Sequence, residues 1–265
     1  MQSDPLATLN WLVEAGADEA IAEAPVNRLA AAAAPAATMP ARPVPPRPAP
    51  AAKPGKSAPA PVDVDTVGTA QALAAAANTL AELRAAMEGF DGCALKHTAT
   101  STVFADGTEQ APVMLIGEAP GRDEDRVGKP FVGRAGQLLD KMLASIGLDR
   151  AANAYITNVI NWRPPNNRDP SPEEAAQCLP FLRRHIELAR PRIIILLGAV
   201  AARHVVGKTD GIMKLRGHWM DYRVGDQMVP LMPTLHPAYL LRQPAHKKLA
   251  WRDLQAVRAR LESLS

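Results

Sequence analysis

Val113-Met-Leu-Ile-Gly-Glu-Ala-Pro-Gly-Arg-Asp-Glu-Asp125, continued by Gly128-Lys-Pro-Phe-Val-Gly133, decides how this 265-residue chain is built. It begins as an unbroken apolar run and passes at Gly117 into a loop dense in glycine, proline and carboxylates. An apolar run without alternation belongs to a strand covered on both faces, as in a parallel sheet. The loop then leaves the carboxyl end of that strand, the edge where open α/β sheets present their ligand sites. Two other segments repeat the arrangement: Tyr155-Ile-Thr157 runs into Asn158, and Val229-Pro-Leu-Met232 leads to His236-Pro-Ala-Tyr-Leu-Leu-Arg242. Three strand ends therefore bring carboxylates, an aromatic ring, an amide and an imidazole toward one pocket.

Outward from these segments, apolar runs alternate with helical patterns. A strand at 112–116 precedes a helix at 134–146, a strand at 154–159 precedes a helix at 171–189, and Ile193–Leu197 precedes a helix at 198–206. An extended stretch at 219–233 and a closing helix at 245–262 follow. An alanine-rich helix is expected at 66–88, with Leu73, Leu80, Leu83 and Met87 on one face. The pattern predicts a three-layer α/β/α sandwich with a mainly parallel central sheet.

The N-terminal quarter reads differently. Residues 1–24 hold five acids and no base, whereas residues 25–62 hold five bases and no acid. Eleven of the 25 prolines lie between Pro25 and Pro61. The organisation expected is an acidic segment 1–24 with helical spacing at Leu6, Leu9, Leu12 and Val13, a disordered Pro/Ala linker 25–62, and a catalytic domain 63–265. The acidic segment is either a tethered docking helix for a protein partner or an extension of no function. The two charge blocks cancel, so the net charge of +3 resides in the remainder and any DNA contact must come from local basic placement. No run of 18 strongly apolar residues exists and the start lacks a signal-peptide pattern. Cys93 and Cys178 make no disulfide framework. A monomer of a reducing, bacterial-type cytoplasm, associated with the nucleoid, is the expectation.

Read singly, each strand-end segment has a plain structural explanation: a turn, a loop cap, a buried histidine. Together, Gly117–Gly136, Thr157-Asn158 and His236-Pro-Ala-Tyr-Leu-Leu-Arg242 resemble a uracil-DNA glycosylase of the family 4 kind, over roughly residues 90 to 262. The resemblance implies removal of uracil flipped out of DNA, leaving an abasic site. It places Gly117, Glu118 and Ala119 against the base and makes Phe131 the stacking platform. Asn158 would read the uracil edge, donating to O4 and accepting from N3–H. His236 would donate to O2 as charge develops there. Family 1 relatives carry an aspartate where Ala119 stands, so the carboxylate role is expected on Glu124, with Glu118 and Asp125 as further candidates. Leu240 or Leu241 would wedge the minor groove, and Arg168, Arg216, Arg242 and Lys247 would meet phosphates.

Family 4 members usually hold a four-iron, four-sulfur cluster on four cysteines. Cys93 and Cys178 match two of these positions, while Phe90 and Trp162 occupy the other two and offer no thiolate. No cofactor is therefore expected, and no histidine cluster has metal-ligand spacing. A uracil or abasic-site binding protein without turnover is the alternative reading. A self-trapping relative is disfavoured, because Asn161 to Cys178 lacks a basic insertion ending in histidine.

Overall fold

A computed structural model describes residues 64–264, with side chains from Thr66 onward. The acidic segment 1–24 and the linker 25–62 lie outside the described residues. Six strands form one sheet: β1 (Asp106–Gly107), β2 (Val113–Gly117), β3 (Ala154–Asn158), β4 (Ile193–Leu197), β5 (Met220–Val224) and β6 (Gln227–Thr234). Their order is β1-β3-β2-β4-β6-β5. The four central strands run parallel, and β1 and β5 close the edges antiparallel. The expected sandwich is the one observed.

The sheet is covered on both faces because its central strands offer apolar side chains to both. Met114, Ile116, Ile194 and Leu196 face one core cluster; Val113, Leu115, Ile193, Ile195 and Leu197 face the other. Over the first face lie α1 (Val64–Ala76), α2 (Leu80–Gly89), α6 (Pro172–Ala189) and α7 (Ala199–Val206). Over the second lie α5 (Arg134–Ala144), α9 (Pro237–Arg242) and α10 (Lys247–Ser263). Short helices α3 (Ala94–Thr98), α4 (Arg122–Val127) and α8 (Ile212–Leu215) complete the connections.

Two expectations change. The helix at 66–88 is two helices, because Asn78 and Thr79 start a new one. The Thr79 hydroxyl accepts from the Glu82 amide at 3.1 Å, and the Glu82 carboxylate accepts from the Asn78 amide at 2.7 Å. That reciprocal capping outweighs continuation of the first helix. The extended stretch 219–233 is a hairpin, turning where Gly225 takes φ 55°. Register matters most at the carboxyl edge, where Gly117 of β2 lies opposite Asn158 of β3.

Candidate active site

At that edge a cavity of about 490 Å³ opens, lined in part by Glu118, Ala119, Glu124, Phe131, Asn158 and His236. Residues from three strand ends meet there, as their positions in the sequence require. Gly117 supports the floor from behind: a Cβ there would stand 2.6 Å from Phe131 Cζ and would also run into Asn158 Oδ1. Only glycine lets the ring and the amide pack this close to the strand.

Asn158 is 2% exposed, and its Oδ1 has no hydrogen-bond partner. Among the described residues it is the one buried side-chain polar atom so left. A buried acceptor without a donor costs about 1–3 kcal/mol. A cavity wall is where a ligand can relieve that cost.

Phe131 is buried beneath the cavity in a left-handed conformation, φ 54°. Two devices hold this unfavourable turn. Arg150 donates to the Phe131 carbonyl at 3.0 Å and the Pro130 carbonyl at 3.3 Å. The guanidinium is itself fixed by Asp106 at 2.9 Å and Asp140 at 2.6 Å. Behind the turn, Gly136 of α5 leaves room for the Phe131 backbone, which a Cβ would strike. The Phe131 ring lies 5.6 Å from the His236 ring, inclined by 32°.

His236 caps the N-terminus of α9. Its Nδ1 accepts the Ala238 amide hydrogen at 3.1 Å, so in the neutral ring the proton sits on Nε2. Burial, aided by the Arg242 charge, pulls its pKa down to about 4. At neutral pH the cavity thus contains an uncharged imidazole with a fixed tautomer.

The three candidate acids of the motif, Glu118, Glu124 and Asp125, separate by environment. Glu124 was the expected catalytic carboxylate, but its oxygens are already used: one accepts from Val132 and Gly133 amides at 3.0 Å each, the other from the Gly121 amide at 3.1 Å. It ties the two ends of the motif loop together. Its place at the third position of α4, after Gly121, is a capping-box position, a signal present in the sequence. Asp125 is buried and accepts from the Thr100 and Ser101 amides. Glu118 has no side-chain hydrogen bond among the described residues. Burial, with the Asp169 charge adding to it, pushes its pKa up to about 7.

The outer residues also sort. Arg242 and Arg168 line the cavity, the latter paired with Glu174 at 2.8 Å. Lys247 is exposed at the start of α10, and Leu241 is exposed beside the cavity mouth. Leu240, by contrast, is fully buried in the second core, because α9 turns that side chain inward. It cannot serve as a wedge there. Arg216 is committed to the buried Asp253 carboxylate and to the Leu249 carbonyl at 2.7 Å. It is not free for a phosphate. Arg150 gave no signal in the sequence, since nothing local marks it as a partner of a turn twenty residues away.

A family model described as the uracil DNA glycosylase superfamily matches residues 104–255. The chain belongs to the uracil-DNA glycosylase superfamily. Within that superfamily it is similar to type-4 uracil-DNA glycosylases. The one from Archaeoglobus fulgidus is 45% identical over 156 residues, covering 57% of this chain and 78% of the relative. Those from Thermotoga maritima and Sulfurisphaera tokodaii are 40% and 39% identical, each match covering 63% of this chain and 86% or 77% of the relative.

This likeness corrects the expectation that no cofactor belongs here. The type-4 glycosylases are a family that binds an iron–sulfur cluster, so absence is not a property a member can be assigned by default. The residues at the corresponding place are nevertheless two thiols. Cys93 and Cys178 are buried in one core cluster with Phe90 and Trp162. The hydrogen bond between them lowers the Cys93 thiol and raises that of Cys178. Two thiols do not fit a four-thiolate site.

Proposed function

We propose that this glycosylase hydrolyses the N-glycosidic bond of uracil turned out of DNA into the cavity, leaving an abasic site. The observation that carries the reading is the unpartnered Asn158 Oδ1 in the cavity wall. Uracil N3–H is a donor suited to it, and the amide NH₂ of the same side chain donates to O4. Cytosine presents the reverse pair, an acceptor at N3 and a donor at N4, so it leaves both groups unsatisfied. Phe131 underlies the base as a stacking surface.

In the reaction the bond between C1′ of the sugar and N1 of the base breaks, its electrons leaving with uracil. The His236 Nε2–H donates to O2 as negative charge grows there, without giving up its proton. Glu118 is the cavity carboxylate available to hold the water that adds to C1′, and its anionic form accepts the water proton. Glu124 acts at one remove, by fixing the loop. Arg168, Arg242 and Lys247 meet backbone phosphates, and Leu241 enters the gap left by the extruded nucleotide. Among the described residues no helix is long and apolar enough to cross a membrane.

Incubation of a labelled uracil oligonucleotide followed by alkali tests this. Strand breakage that requires alkali, lost in Asn158→Ala and Glu118→Gln, is the expected result. Retention of the oligonucleotide by the wild-type protein without breakage would overturn the catalytic reading in favour of a binding protein.

A further inference from the structure

Helix α10 carries a surface that the uracil cavity does not use. In its first six residues, Ala250 is buried and Leu249 half-buried, while Lys247, Lys248, Trp251 and Arg252 are exposed. Trp251 leaves 42% of its surface in solvent, although the same helix buries Ala250, Leu254 and Val257. A single exposed apolar side chain is ordinary. The charge around this one is not. Between Asp226 and Asp253 the sequence has no acid, and Asp253 is itself buried and held by Arg216 and Thr234.

Lys247, Lys248 and Arg252 form no ion pair among the described residues, whereas Arg258, farther along the helix, pairs with Glu262 at 2.9 Å. Cations in the first turns oppose the helix dipole. Helix stability therefore does not account for where they stand. The strip is also joined to the cavity. Tyr239 lines the cavity, and its hydroxyl meets His246 Nδ1 at 2.7 Å, the two rings 5.5 Å apart. His246 directly precedes Lys247.

We propose that this strip grips single-stranded DNA flanking the uracil, with phosphates against Lys247, Lys248 and Arg252 and an unpaired base stacked on Trp251. The inference rests on the cavity being the uracil site. An indole face needs an exposed base face, which a paired and stacked duplex withholds along its length. Chemically, a basic groove bordered by an aromatic platform is the arrangement that holds single strands without reading their sequence.

The test uses the full chain and three substrates, each with one uracil: a single-stranded 20-mer, the same 20-mer as duplex, and a tetranucleotide. Trp251→Ala is expected to raise KM for the single-stranded 20-mer about tenfold with kcat unchanged. It should leave the duplex and the tetranucleotide as they were, and Trp251→Phe should recover most of the loss. Lys248→Ala combined with Arg252→Ala should flatten the dependence of log KM on log salt by about 1.4 for the single-stranded 20-mer. This pair is solvent-exposed, so it also covers the case in which Trp251→Ala does not fold. An equal loss on all three substrates, an equal loss on single strand and duplex, or no loss on any would overturn the proposal. Failure of the cavity reading is distinguishable, because wild type would then release uracil from none of them.

Discussion

On the function proposed above, Asn158 sets stability against activity, and replacing it with leucine separates the two. Leucine has the same number of side-chain heavy atoms and a similar branching, so the space beside Gly117 and Phe131 stays filled. The substitution removes the buried, unpartnered Oδ1. The free protein should therefore gain up to about 1–3 kcal/mol, the cost of leaving such a group unsatisfied. For a domain of this size that corresponds to a rise in Tm of roughly 2–12 °C. The same change leaves uracil N3–H and O4 without partners in the cavity. Two buried polar groups at about 1–3 kcal/mol each predict a fall in kcat/KM of about 30-fold to 10⁴-fold. Thermal or urea unfolding of the free protein, beside alkali-dependent strand breakage, measures both quantities. A variant that is less stable and still releases uracil would refute the assignment of Asn158 as the base-reading group.

Other expectations follow from the same geometry. If ionised Glu118 holds the water, kcat/KM rises with pH and levels above about 7, and Glu118→Gln removes that rise together with most of the activity. In stability the sign is opposite: a carboxyl raised from 4.5 to about 7 keeps its proton in the fold. Its contribution is therefore full below about 4.5 and lost as pH climbs toward 7, as comparison of wild type with Glu118→Gln across that window would show. Arg150→Ala frees the Phe131 turn although Arg150 does not itself line the cavity; KM for uracil DNA should rise several-fold, and Arg150→Lys should restore little because one ammonium cannot span both carbonyls and both carboxylates. Gly136→Ala drives a methyl into the Phe131 carbonyl and should reduce soluble yield or lower Tm by several degrees, measured by thermal unfolding.

What the sequence showed plainly was whatever burial writes into it. Strands β2 and β4 carry apolar runs because both faces are covered, and Asn158 and His236 could be placed because the one ends β3 and the other lies two residues beyond β6. Helix α1 and helix α2 read as one because the alanine pattern continues through Asn78-Thr79, and the cap that divides them depends on a reciprocal bond with Glu82. The bracing bonds of Glu124 escaped the sequence for a related reason. A carboxylate in a cavity motif suggests chemistry, whereas three backbone amides at bonding distance make it a brace. Leu240 and Leu241 are neighbours of one type, and only the rotation of α9 tells which faces the core. Arg150 was invisible because its partners, Asp106, Pro130, Phe131 and Asp140, are brought to it by the fold alone.

The Glu124 brace has a consequence for motion. One carboxylate joins the Gly121 amide to those of Val132 and Gly133, so a swing of the Glu124 side chain out of its place releases both ends of the loop together. These amides form one opening unit. Their hydrogen exchange should occur at a common rate set by that single event, and uracil in the cavity should slow all of them by the same factor. On the function proposed above, a base of the wrong shape then meets a braced wall, and selection at this site is a matter of fit to an already assembled surface.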